Sequence, residues 1–260
     1  MGFSADWLTL REPVDHAARD KALLRAALEA AGPAPVILDL GCGTGSTVRA
    51  LAPHLPEGTQ WRLVDNDEAL LEHARAGLDG RASVHCLDIH SLDQLPLDGV
   101  TLVTASALLD LVSKEWLIEL GALIRVPLYL ALTYNGSMQW TPEDPRDDSV
   151  TEAFNRHQRS EKGIGAALGP DAADVAATLL ADASFDVSVG QSPWRLGPEH
   201  APLHRALLEG IAQAADEAGE SSALAWGATR DAAAEHSSCT IGHTDILAIP
   251  GADTEKESDV

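Results

Sequence analysis

The sequence is poor in basic side chains. It has 18 Lys and Arg against 40 Asp and Glu, a formal net charge of −22, and the cations form no stripe. Holding a phosphate backbone depends on clustered cations, so this balance argues against DNA or RNA as the main partner. Such acidity keeps a protein soluble or suits a salty cytoplasm, and implies no acidic docking surface. Cysteine is also scarce. Cys42, Cys86 and Cys239 are an odd number with no C-x-x-C spacing, which fits a reducing compartment and offers no zinc framework. Each reads as a small buried residue in or near a strand. His200 and His204 have helical i, i+4 spacing, but Pro202 lies between them and no third ligand is evident, so no metal is expected. No apolar run reaches the roughly 18–20 residues that cross a bilayer. The N-terminus has no basic region before an apolar core, as a secretory signal would, and Gly2 has no basic support for lipidation. No internal repeat is visible. Together these absences predict a soluble, cytoplasmic protein.

What is present is a strand, a glycine turn and a helix. Val36-Ile37-Leu38-Asp39-Leu40 is an apolar run of strand length, and Gly41, Gly43 and Gly45 follow at alternate positions. Glycines so spaced let the backbone turn where side chains would clash, and let a ligand touch the main chain. A helix is expected from about 45 to 52, ending at Pro53. Strands follow at 61–65, 83–89 and 99–106, with a helix opened by Asp67-Glu68 and another capped by Ser113. Asp65 and Asp88 end the second and third strands, and Ser106 ends the fourth. Open α/β sheets bind ligands at those C-terminal ends. Asp65 stands 24 positions after Gly41, where a ribose-binding carboxylate belongs in a nucleotide-binding unit, because a carboxylate accepts from both ribose hydroxyls.

A fifth strand is expected at 126–134, then a non-periodic stretch from Asn135 to Arg146 and a helix over 149–162. A helix at 171–182 and a strand at 185–189 follow. Two helical patterns, roughly 198–218 and 221–236, flank Gly219 ahead of a last strand at 240–249. Residues 3–31 read as a helical lead-in, with Pro13 in the first turn of its main helix. Arg11, Asp15 and Arg19 fall at i, i+4, i+8 on one helix face. The final ten residues are polar and acidic and predict a disordered tail.

Asp39, Gly41, Gly43 and Gly45 resemble the first motif of the class I, Rossmann-like, S-adenosylmethionine (SAM)-dependent methyltransferases, and residues 64–67 resemble the second. The likeness covers roughly 34–192 and 240–249. It implies one α/β domain over 1–250, with a mostly parallel seven-stranded sheet and helices on both faces. The helical lead-in is then 1–33, the core 34–192, a helical insertion 193–238 and the last strand 239–250, with 251–260 as tail. It implies SAM as cofactor, held by Asp39, Gly41, Cys42, Gly43, Gly45, Asp65, Asn66 and Ser106. Asp88 would face the adenine amino group with Ile89 against the ring, and an arginine of the lead-in, Arg19 or Arg11, would meet the cofactor's carboxylate.

Methyl transfer from a sulfonium needs in-line positioning and exclusion of water more than a dedicated catalytic group. His157, Asp110 and Tyr134 are candidates for a base, should one be needed. Trp140 and Trp194 are candidate walls of an acceptor pocket, and Arg195 is a candidate partner for an acidic acceptor. The Asn-Pro-Pro-aromatic motif of base methylation is absent after the fourth strand, where Ala105-Ser106-Ala107-Leu108 stands. The expected function is therefore O- or N-methylation of a small molecule. Two alternatives stay open at this point: a non-catalytic SAM-binding subunit, and a nicotinamide oxidoreductase, whose G-x-G-x-x-G spacing would require glycine where Ser46 stands.

Overall fold

The computed structural model describes residues 4–76, 78, 80–160 and 165–251. β1 (Val36–Leu40) lies inside an eight-stranded sheet with β2 (Gln60–Asp65), β3 (Ala82–Cys86), β4 (Leu102–Ser106), β5 (Leu128–Thr141), β6 (Phe185–Gln191), β7 (Trp194–Leu196) and β8 (Ser238–Pro250). The order is β3-β2-β1-β4-β5-β8-β6, and β7 also pairs with β8. The four pairings from β3 to β5 are parallel, whereas β8 runs antiparallel to β5, β6 and β7. Parallel strands need crossovers, and the helices that supply them cover both faces.

Alternation along the strands builds one core on each face. Leu38, Leu40, Val64, Val103 and Leu130 pack on one side with α5 (Lys114–Leu123) and α7 (Ala172–Asp182). Ile37, Leu63, Leu102, Tyr129 and Leu247 pack on the other with α2 (Lys21–Ala30), α3 (Ser46–Leu51) and α4 (Glu68–Ala76). A third cluster lies beyond the ligand edge of the sheet. There the extended ends of β5 and β8 meet β7, α1 (Ala5–Ala18), α6 (Asp147–Gln158), α8 (Ala201–Glu217) and α9 (Ala223–Ala232) around Trp140, Trp194 and Trp226. This third unit is called the cap below.

Several expectations change. Pro13 sits inside α1, not in its first turn, because Ser4 caps the helix by accepting from Trp7 N, well upstream. Arg19 terminates α1 in an extended conformation, so it leaves the face shared by Arg11 and Asp15. β3 stops at Cys86, and Asp88 stands beyond it. The stretch after Tyr134 is strand as far as Thr141, since β8 supplies a partner through two register shifts. The strand count rises from seven to eight because Trp194–Leu196 pairs with β8 ahead of the two cap helices. Lys162 and the tail beyond Gly251 lie outside the described residues.

Candidate functional site

The site grows from the end of β1. Gly41, Gly43 and Gly45 all have left-handed φ, at 62°, 52° and 84°, a region costly for side chains. Space for a side chain is tight as well. A Cβ on Gly41 would stand 3.3 Å from Leu108, and one on Gly43 3.1 Å from Leu8 of α1. Gly45 then caps α3. Cys42 is buried, and its N–H donates to Val64 O at 3.0 Å. Burial and the nearby Asp39 and Asp65 push its thiol far above the ordinary range.

Asp65, at the tip of β2, accepts from Gly43 N at 2.8 Å and from Asp67 N at 3.0 Å. The carboxylate thereby ties the glycine turn to the second strand. Asn66 is exposed beside it, with its carbonyl 3.8 Å from Cys86 Sγ. Asp88 is exposed and accepts from His90 N at 3.0 Å, a bond that, with the His90 ring, holds its carboxyl below the usual range. Ile89 is buried, and its carbonyl accepts from Trp116 Nε1 at 2.7 Å.

Deeper in, Asp39 is fully buried and accepts from Thr104 Oγ1 at 2.7 Å. Loss of hydration pushes its carboxyl up to about 7 against the opposing pull of Thr104 and Arg19. Arg19 is sealed at 3% exposure. Its Nη2 donates to Ser106 Oγ at 2.9 Å, while Nε and Nη1 have no partner. Thr47 Oγ1 lies 3.2 Å from the same Ser106 hydroxyl. α1 closes over this floor. Arg49 Nε of α3 donates to Glu12 Oε1 at 2.6 Å, and His16 Nε2 lies 3.0 Å from Ser46 O. The arrangement brings the glycine turn, the Asp65 carboxylate and a buried cation with two unpartnered donors to the C-terminal ends of the parallel strands.

The remaining candidates fall in or beside the cap. Trp140 is buried, stacked on His204 with centroids 5.6 Å apart and beneath the Arg230 guanidinium at 5.0 Å. Trp194 is also buried. Its Nε1 donates to Asp15 at 2.9 Å, and Arg11, paired bidentately with Asp15, lies over its ring. Neither tryptophan is an open wall, because the cap fills its own interior. Arg195 is exposed on β7. Tyr134 donates to Asn155 Oδ1 at 2.8 Å, and burial raises its phenol out of reach of ionisation, so it is not a base. His157 lies 3.1 Å from Glu217, joining α6 to α8. Asp110 stands half-buried in the turn after β4, close enough to Tyr134 to oppose its ionisation. Thus Asp39, the glycines, Asp65, Ser106 and Arg19 come together, whereas His157, Trp140 and Arg195 do not join them.

Sequence reasoning missed Thr47, Thr104, Glu12 and His16. Thr104 was visible as a polar residue in an apolar strand, but the contacts of α1 with α3 span 30 or more residues and carry no local signal. Among the described residues no three His, Cys, Asp or Glu side chains gather to hold a metal ion, and no helix is long and apolar enough to cross a membrane.

Comparison with known proteins bears on the same region. The family model described as "Methyltransferase domain" matches residues 37–128. No curated protein sequence matches the chain. A cyclopropane-fatty-acyl-phospholipid synthase-like protein from Lactobacillus casei is similar in structure, at TM-score 0.56 and 17% identity, over 96% of this chain and 95% of that one. The YcgJ protein from Bacillus subtilis is similar at TM-score 0.55 and 16% identity, over 89% and 99%. The cyclopropane synthase MmaA2 from Mycobacterium tuberculosis is similar at TM-score 0.52 and 15% identity, over 95% and 94%. At such identities the structural likeness shows the fold, and the family match falls on the glycine turn and the three acid-tipped or hydroxyl-tipped strands after it. Residues 37–128 of the chain thus match a methyltransferase domain, and the chain as a whole has the Rossmann-like α/β fold of these neighbours.

Proposed function

We propose that the enzyme methylates a small-molecule acceptor, with the glycine turn, Asp65, Asp88 and Arg19 holding the cofactor. The observation that carries this is the sealed Arg19 guanidinium with two unpartnered nitrogens beside Ser106 and Thr47. A buried cation with unused donors is costly unless an anion completes it, and the carboxylate of a bound amino acid is such an anion. Asp65 would accept from the ribose hydroxyls, Gly41 to Gly45 would let the main chain approach the ligand, and Asp88 with Ile89 would receive the adenine. Asp39 and Cys42 would stay below this surface as support.

When bound, SAM supplies a methyl carbon on a positively charged sulfur. This chain's own residues orient the donor and exclude water, which α1 does by covering the turn. A small acceptor is supported by the cap, which closes the ligand edge with aromatic side chains, and by the net charge of −22, which disfavours nucleic acid. The segment 193–238 is read as part of the same domain, because β7 joins the sheet.

The test is calorimetry with SAM, followed by incubation of labelled SAM with fractionated cell extract. Asp65→Ala is expected to weaken SAM binding at least about 100-fold, since it removes both the ribose contact and the anchor of Gly43 N. Unchanged affinity would reject the ribose assignment. Label in a macromolecular fraction rather than a small-molecule one would reject the acceptor class.

A further inference from the structure

We propose that His243 receives the proton of a hydroxyl acceptor, so that the enzyme methylates oxygen rather than amine nitrogen. This rests on the small-molecule reading above and adds the acceptor atom and the residue that serves it. His243 lies on β8 opposite Tyr134 of β5, beyond the end of the parallel strands, where the cradle meets the cap. β8 is two strands, about 10 Å, from β4, whose end carries Ser106.

The imidazole is held in one tautomer. Nδ1 donates to the Ile241 carbonyl at 3.1 Å, which leaves the lone pair on Nε2. Nε2 has no hydrogen-bond partner among the described residues, yet it is not among the sealed polar atoms, and the residue keeps 6% of its surface exposed. The ring is clamped between Trp194, with centroids 5.0 Å apart, and Tyr134, 6.2 Å apart. The charged and titratable groups facing it are few. From α1 come Arg11 and Asp15, joined at 2.8 Å, and from β5 the Tyr134 phenol, committed to Asn155. None of these fills Nε2. A buried imidazole with one nitrogen anchored and the other unpartnered can accept a proton from a group outside the fold.

The acid–base chemistry selects the acceptor. Burial and the Arg11 charge hold the ring down at about 3, so it stays neutral and is a weak base. As the acceptor oxygen bonds to the methyl carbon, the carbon–sulfur bond breaks and its electron pair stays on sulfur. The O–H bond breaks with its proton passing to Nε2, and the imidazolium later returns that proton to solvent. A hydroxyl gaining a methyl group becomes an oxonium, which is acidic enough to protonate even this imidazole. An amine becomes an ammonium, which is a far weaker acid and would keep its proton.

The test uses the full chain labelled with ¹⁵N-histidine and saturated with S-adenosylhomocysteine, titrated with 2-naphthol and with 2-naphthylamine. The expected result is a saturable shift of the His243 Nε2 resonance with 2-naphthol, weaker with the amine and missing in His243→Gln. In SAM turnover with 2-naphthol, His243→Gln is expected to lose at least about 100-fold in kcat with KM within a few-fold, the range of a lost general base. SAM affinity should be unchanged by calorimetry. No Nε2 response to 2-naphthol while S-adenosylhomocysteine binds overturns the proposal, as does full kcat in His243→Gln. Failure of S-adenosylhomocysteine to bind removes the cofactor assignment itself, and the proposal with it.

Discussion

The cradle and the cap meet along α1 and are built on different physics. The cradle is built on main chain: three left-handed glycines within five residues, the Asp65 carboxylate at the tip of β2 and a cation with two donors unpartnered. The cap is made of side chains from seven elements spread along the chain. Of the six tryptophans, four (Trp7, Trp140, Trp194 and Trp226) lie in it, so aromatic packing is concentrated there. Its buried Arg230–Asp147 pair is saturated. Arg230 is 5% exposed and donates to both Asp147 oxygens and to Pro142 O, while Trp226 Nε1 donates to the same carboxylate at 2.8 Å. The cradle therefore leaves two donors of its buried Arg19 unpartnered, whereas the cap pairs its buried Arg230, although Trp140 Nε1 and the His204 ring nitrogens there have no hydrogen-bond partner among the described residues either. Mutations should separate the two.

The largest effect is expected from Asp147→Ala. It strands a buried guanidinium and the Trp226 N–H, and should lower the unfolding free energy by about 3–5 kcal/mol. Denaturant melts would show this, while SAM affinity measured well below the transition should hold. A SAM defect as large as the stability defect would erase the division between the regions.

Arg19→Met is the converse. SAM affinity should fall about 100-fold, equal to about 2.7 kcal/mol, for loss of a buried charge-assisted contact. Stability without ligand should be retained within about 1 kcal/mol, because the cation is incompletely partnered. A drop of several kcal/mol would show that Arg19 belongs to the fold rather than to the ligand.

A further separation is expected in pH dependence. Asp39 has its carboxyl raised from 3.8 to about 7, so the folded state holds a proton that the unfolded state releases. Its contribution is full below pH about 4 and is lost as pH rises through about 7. His243 is lowered from 6.5 to about 3, so its contribution is present above 6.5 and is lost as pH falls towards 3. The two oppose each other between pH 4 and 6.5. Asp39→Asn should give unfolding free energies that climb more steeply with pH over that window than those of the wild type. Identical slopes would mean that Asp39 ionises in the fold as it does in the unfolded chain.

The cradle was readable in the sequence because backbone demands leave residue types behind. Three φ angles between 52° and 84° within five residues favour glycine, and the acids at 39, 65 and 88 fall within two residues of the ends of β1, β2 and β3. The boundaries that moved were those set by pairing. β5 runs on to Thr141 because β8 meets it, and Trp194–Leu196 becomes a strand for the same reason. Pro13 was misplaced because the cap at Ser4 lies upstream of the apolar stripe.

By itself the sequence determined the order of elements, the glycine turn and the acids at its rim, since these follow from local conformational preference and from a period of two or 3.6 residues. The tertiary structure alone decided that α1 covers the turn through Glu12 and His16, that Arg19 reaches Ser106 across 87 residues, that Trp140 and Trp194 are interior, and that His243 is held between two rings. Those are contacts between segments far apart in the chain. Their energy depends on shape and burial after packing, and no short stretch of residues records it.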